Sequence, residues 1–233
     1  MIVSIRFSNR LVKLLVYLLF CFLFATTRNR KPASKALATS NESTVQHGQQ
    51  LQKQDFCLVW KKRIFRGKTT LTLPRHVIFE PLPSTGFANQ LRGIISTAFY
   101  AALTQRDFYI NWTEESQMFD LSTYLTPNCI NWKYLRDSNI DRGMKVRSII
   151  ISGSRKGQGH PEISHEFQTK DLINFHPEHK IIISSNDLYY DNFFHNEYHC
   201  RAIREDLGFS HPDEVFSILF RFLFKPSQEL LRF

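Results

Sequence analysis

The spacing of apolar and polar residues changes several times along this chain, and each change marks an element. Leu11 to Thr27 is apolar except for Lys13. As a helix it would rise about 25 Å, enough for a thin bilayer. Arg28 to Gln54 is rich in Ser, Thr and Gln, lacks apolar periodicity, and reads as a flexible stem. Structure is expected to begin near Phe56, where Cys57-Leu58-Val59-Trp60 opens an apolar run. His76 to Glu80 is a short strand pattern, closed by Pro81 and Pro83. Leu91, Ile94, Ile95, Ala98, Phe99 and Ala102 then recur at helical spacing, predicting a helix over Asn89 to Thr104. Phe108 to Trp112 is the next strand pattern. Strand, loop, helix and strand in so short a span make a βαβ unit, with a right-handed crossover expected. Two further β-branched runs, Val146 to Ser152 and Lys180 to Ser185, make the fold class α/β with a mainly parallel sheet.

Near the C-terminus, Ser210 with Pro212 and Asp213 is expected to start a helix through Val215, Leu219, Phe220 and Leu223. Lys225-Pro226 should break it. Ser227 reads as the N-cap of a new helix, with Glu229 in its first turn and Leu230 and Leu231 as its core face. The sequence stops at Phe233 inside that apolar helix, which predicts a truncated product or fragment.

Charge changes this picture only once it is located. Of 30 basic residues, seven (Arg6, Arg10, Lys13, Arg28, Arg30, Lys31 and Lys35) flank or enter the first apolar segment, where no acid occurs. The rest of the chain carries 23 basic and 21 acidic residues, so the net charge of +9 implies no nucleic-acid surface. Arg28, Arg30 and Lys31 favour a signal anchor over a cleaved signal peptide, for which Ala25-Thr26-Thr27 is a weak cleavage site. The resulting plan is a cytosolic tail over 1–10, a transmembrane anchor over 11–27, a stem over 28–55 and a lumenal α/β domain over 56–233. Sequons at Asn41 and Asn111 suit that compartment. Asn111 also closes a predicted strand, which weighs against its modification. Beyond the anchor lie Cys57, Cys129 and Cys200, an odd number in an oxidising compartment. One is free, pairs with another chain, or lacks its partner in this sequence.

The best candidate for chemistry is Thr85 to Gly93, where the first strand meets its helix. Ligands of open parallel sheets bind at the carboxyl ends of strands, and helix N-termini there favour phosphate or sugar oxygens. Gly86 permits close approach to the backbone, Asn89 and Gln90 offer amides, and Arg92 carries a fixed positive charge. The bland alternative is that Gly86 relieves a turn and Asn89 caps the helix. Three rivals are weaker. Gly153 to Gly159 is a basic glycine-rich loop without the phosphate-loop spacing. His195 and His199, with Cys200, have helical metal-ligand spacing but no fourth ligand, and their aromatic surroundings suggest packed histidines. Asp187 and Asp191 follow a strand end, where one could take a proton from an acceptor hydroxyl.

The stretch GFANQLRGIISTAFYAALTQRDFYINW resembles the N-terminal motif of GDP-fucose-dependent fucosyltransferases, a Gly-x-Gly-Asn-Gln/Arg segment before a long helix and a strand. Phe119-Asp120 and Cys129-Ile130-Asn131-Trp132 continue the likeness, and the terminal FKPSQELLRF resembles the helix preceding that family's second half. The match is good over Arg75 to Trp132 and loose elsewhere. The resemblance implies a Rossmann-like half of a GT-B glycosyltransferase and inverting transfer of fucose from GDP-fucose to a glycan acceptor. It also implies no metal and no cofactor beyond the donor, in a single-pass type II Golgi membrane protein. Asn89 and Gln90 map onto the motif's Asn-Gln/Arg. Ala88 stands where the motif has Gly, and the family's later His-x-Arg donor motif has no equivalent in this chain. The alternative expectation is a catalytically inactive relative or fragment that binds a glycan or a partner subunit, including a disulfide-linked one.

Overall fold

The computed structural model describes residues 55–64, 75–83, 85–112, 120–134, 145–151 and 161–232. The anchor segment 11–27, residues 28–54 of the expected stem, with Asn41, and the glycine-rich loop 153–159 lie outside the described residues, while Asp55 already belongs to a helix. Among those described, no helix is long and apolar enough to cross a membrane.

Four strands form one wholly parallel sheet: β1 (His76–Glu80), β2 (Asp107–Ile110), β4 (Val146–Ile151) and β5 (Lys180–Ser185), in the order β2-β1-β5-β4. The central position of β1 explains its continuous apolar run. Val77, Ile78 and Phe79 are all at most 1% exposed, as expected of a strand covered on both faces. The run in β4 looked equally continuous, but β4 is an edge strand. Ile149 and Ile151 are buried there, while Val146 and Ile150 are half exposed on the other face.

Helix α1 (55–64) precedes the sheet, and helix α2 (Phe87–Leu103) connects β1 to β2. It begins two residues before the predicted start, because Gly86 rather than a later residue takes the extended N-cap conformation. Thirteen of its residues are buried, from Gln90 onward. Gly93 shows how closely it lies on the sheet, since a Cβ there would stand 2.2 Å from Ser185 O and 2.9 Å from Phe79 Cε2. Only glycine fits that crossing. Phe99, further along, packs against Tyr190, Phe193, Phe194 and Phe209.

Helices α3 (Pro161–Thr169) and α4 (Leu172–Phe175) lie between β4 and β5; α5 (Asp191–Phe194), α6 (Cys200–Glu205) and α7 (Pro212–Leu223) follow β5. Helix α7 is capped at His211, not Ser210. The Ser210 amide instead donates to Glu214 Oε2 at 3.0 Å. Past α7, β6 (Phe224–Pro226) pairs antiparallel with β3 (Leu125–Pro127). Helix α8 (Gln228–Leu231) follows, capped as expected by Ser227 Oγ, which accepts from Leu230 N at 3.0 Å. Trp132 Nε1 donates to Leu223 O, fastening the 120–134 segment to the end of α7. The cysteine question has a definite answer: Cys57 and Cys129 form a disulfide and Cys200 is free and partly exposed.

The edge of the sheet opposite the candidate site is closed by a buried polar cluster. Arg106, 1% exposed, donates to Glu178 O and His176 O, and the Tyr100 hydroxyl hydrogen-bonds His176 Nδ1 at 2.5 Å. Burial pulls the His176 pKa down to about 3, with help from Arg147 and Arg106, so the ring is neutral.

Candidate functional site

The carboxyl ends of β1 and β5 are neighbours. From β1 the chain crosses through α2 to β2 on one side, while β5 lies on the other. Ligands of open parallel sheets bind at this carboxyl edge. Two loops frame it: 81–86, which enters α2, and 186–190, which leaves β5.

At the first loop, Gly86 has φ −68° and ψ 152°, no side chain caps the helix, and no acid stands in its first turn. The positive end of a long helix's dipole is thus presented at the sheet edge. A Cβ on Gly86 would meet nothing within 4 Å, so internal packing does not require glycine there. The packing constraint falls on Gly93 instead. Asn89 is exposed on the first turn and is not the cap.

Gln90 is placed differently from its expected role. It is fully buried, and its Nε2 donates to Leu82 O at 2.6 Å and to Thr85 Oγ1, while Thr85 Oγ1 donates to Leu82 O at 2.8 Å. Its amide shapes the loop from below. Arg92 reaches the second loop, with Nη2 3.2 Å from Asp187 Oδ1. That oxygen also accepts from Leu188 N at 2.8 Å. Ser96, about one helical turn beyond Arg92, accepts from Tyr189 N at 3.1 Å and pins the loop to α2. The structure therefore brings Gly86, Asn89, Arg92 and Asp187 to one edge of the sheet and turns Gln90 inward.

Glu80 was not singled out in the sequence. It ends β1, and its Oε1 accepts from Asn111 Nδ2 at 2.9 Å. Its signal was positional, the last residue of a central strand at the carboxyl edge. Asn111 is half-buried and its amide already has this partner.

The rival sites separate. His199 is buried, and its Nε2 accepts from Leu172 N at 3.0 Å; burial lowers its pKa, so it is a satisfied core histidine. His195 is exposed at the end of α5. Asp191 opens α5, with its carboxyl held above the usual range by desolvation and by Asp213, against a smaller pull from His195.

No protein-family model matches the chain, and no curated protein matches it. Among solved structures it is similar to an arginine-to-lysine mutant of Arabidopsis thaliana FUT1 in complex with GDP, with a TM-score of 0.53 and 13% identity. The match covers 88% of this chain and 50% of that one, so the chain spans about half the length of the structure it resembles. The shared feature is the fold: an α/β unit with a four-stranded parallel sheet, of the kind found in a Rossmann-like glycosyltransferase half.

Proposed function

We propose that this chain is the acceptor-side half of a glycosyltransferase that moves fucose from GDP-fucose to a glycan by an inverting, metal-independent route. In this reading residues 11–27 hold it in the Golgi membrane as a single-pass type II protein, and the α/β unit faces the lumen. The observation that carries the proposal is the α2 N-terminus, without a side-chain cap, at the carboxyl edge of β1 and β5, in a fold shared with a GDP-bound fucosyltransferase. Asn89 and Arg92 form the cleft wall, Gly86 leaves the backbone accessible, and Gln90 holds the loop in shape. In the complete reaction a general base takes the proton of the acceptor hydroxyl, the oxygen attacks C1 of the sugar, and GDP leaves with the electrons of the broken C1–O bond. The Cys57–Cys129 disulfide supports an oxidising compartment.

Titration of GDP into the purified chain by calorimetry tests the cleft, with Asn89→Ala as the comparison. Binding that weakens in the variant is expected; an absence of binding in both proteins removes the nucleotide-sugar cleft from this half. A second reading, a relative that binds glycan or a partner without turnover, is favoured by one observation. Gln90 and Arg92, two of the four expected ligand contacts, already have protein partners.

A further inference from the structure

Arg92 supplies the fixed positive charge of the proposed cleft, and that charge already has a partner. Its Nη2 meets Asp187 Oδ1 at 3.2 Å, with the two side chains 43% and 36% exposed. The backbone beneath the carboxylate is held firmly. Asp187 N donates to Ser185 Oγ at 3.2 Å, and Asp187 O accepts from Ser96 Oγ and from Ser185 Oγ, each at 3.4 Å. Ser96 is on the same helix as Arg92, so one rigid unit carries both charges, and the half-exposed side-chain ends are its free parts. Arg92 is thus a cation already in direct contact with one carboxylate, that of Asp187.

We propose that Asp187 is an internal counter-ion which a diphosphate group must displace from Arg92, so that this carboxylate sets how tightly the cleft holds a phosphate-bearing ligand. The proposal rests on the nucleotide-sugar reading above. The exchange runs toward phosphate because a guanidinium can grip a phosphate with two parallel N–H donors, whereas the Asp187 contact is a single, solvent-screened one. It also gives the site selectivity: a neutral sugar cannot take the arginine from Asp187, and a diphosphate can.

The test is a double-mutant cycle read by calorimetry on the full chain, with inorganic pyrophosphate and GDP as probes. Asp187→Asn keeps the size of the side chain and an acceptor for Leu188 N while removing the charge. It is expected to tighten binding about two- to fivefold, the range set by a weak exposed ion pair. Arg92→Ala is expected to weaken binding, and adding Asp187→Asn to it should change nothing more. An equal gain in both backgrounds would mean a diffuse field effect and overturns the exchange. So does wild-type binding that Asn89→Ala weakens but Asp187→Asn leaves unaltered, although the cleft reading then survives. Binding of neither probe to any of the four proteins overturns both. Tighter pyrophosphate without tighter GDP overturns the exchange for the nucleotide, because GDP carries the same diphosphate.

Discussion

Gly93→Ala is the perturbation that most directly tests how the candidate site is assembled. An added Cβ would stand 2.2 Å from Ser185 O and 2.7 Å from Ser185 C, both backbone atoms at the end of β5. Neither can rotate away, so α2 must lift from the sheet by about 1 Å to restore normal contact. Overpacking of this kind costs roughly 1–3 kcal/mol, with the upper end expected where backbone is struck. Against it stands the helix preference of Ala over Gly, about 1 kcal/mol in the opposite direction. The net expectation is a loss of about 2 kcal/mol, seen as a fall in melting temperature of roughly 4–8 °C for a unit of this size. Urea denaturation followed by circular dichroism would measure it. The sign decides the matter, because propensity alone predicts a more stable protein. A Gly93→Ala variant as stable as the wild type, or more so, would refute the close crossing. Because Ser96 joins α2 to the 186–190 loop, the same shift should weaken any ligand binding that depends on Arg92 and Asp187.

The other expectations concern what holds the unit together. Reducing the Cys57–Cys129 bond, which spans 72 positions, should lower stability by about 4 kcal/mol through the released chain entropy, measured as urea midpoints with and without reductant. Thiol alkylation without reductant should label Cys200 and neither Cys57 nor Cys129. His176 titrates near its ordinary 6.5 when unfolded and at about 3 when folded, so the unfolded chain takes up the proton first as pH falls. Stability is therefore fully present above pH 6.5 and lost progressively as pH falls from there toward 3. His176→Gln should flatten that part of the profile of unfolding free energy against pH, and an unchanged slope would count against a buried neutral ring. Gln90→Ala should lower stability by roughly 0.5–1.5 kcal/mol, since it removes one of the two donors to Leu82 O and leaves that from Thr85 Oγ1, whereas Asn89→Ala should leave the melting temperature almost unmoved.

Much of the fold was legible in the chain because its strongest signals are local. The runs His76–Glu80 and Lys180–Ser185 became strands with the predicted bounds, since each is a short β-branched or aromatic run ended by turn-forming residues. Ser227 caps its helix because an N-cap needs only its own side chain and the amide three residues on. The start of α2 and the cap of α7 were displaced by one or two residues for the same local reason: Gly86 and His211 carry no side-chain cap, so no capping residue announces them. The His195–His199 spacing was ambiguous in sequence. It resolved when Leu172, far away along the chain, supplied a donor to His199.

Composition, periodicity and turn chemistry determined on their own that this is an α/β unit with parallel strands and a strand–helix junction after the first of them. Those properties depend on residues a few positions apart. Tertiary structure alone decided the strand order that makes β1 and β5 neighbours, and with it the meeting of Arg92 and Asp187 across 95 positions. It also decided that Cys57 pairs with Cys129, that Gln90 faces inward, and that Gly93 rather than Gly86 is the glycine demanded by packing. Apart from Gln90, whose bonded partners lie within eight positions, each of these is a contact between segments far apart in the chain, set by how the helix lies on the sheet, and no local pattern encodes that placement.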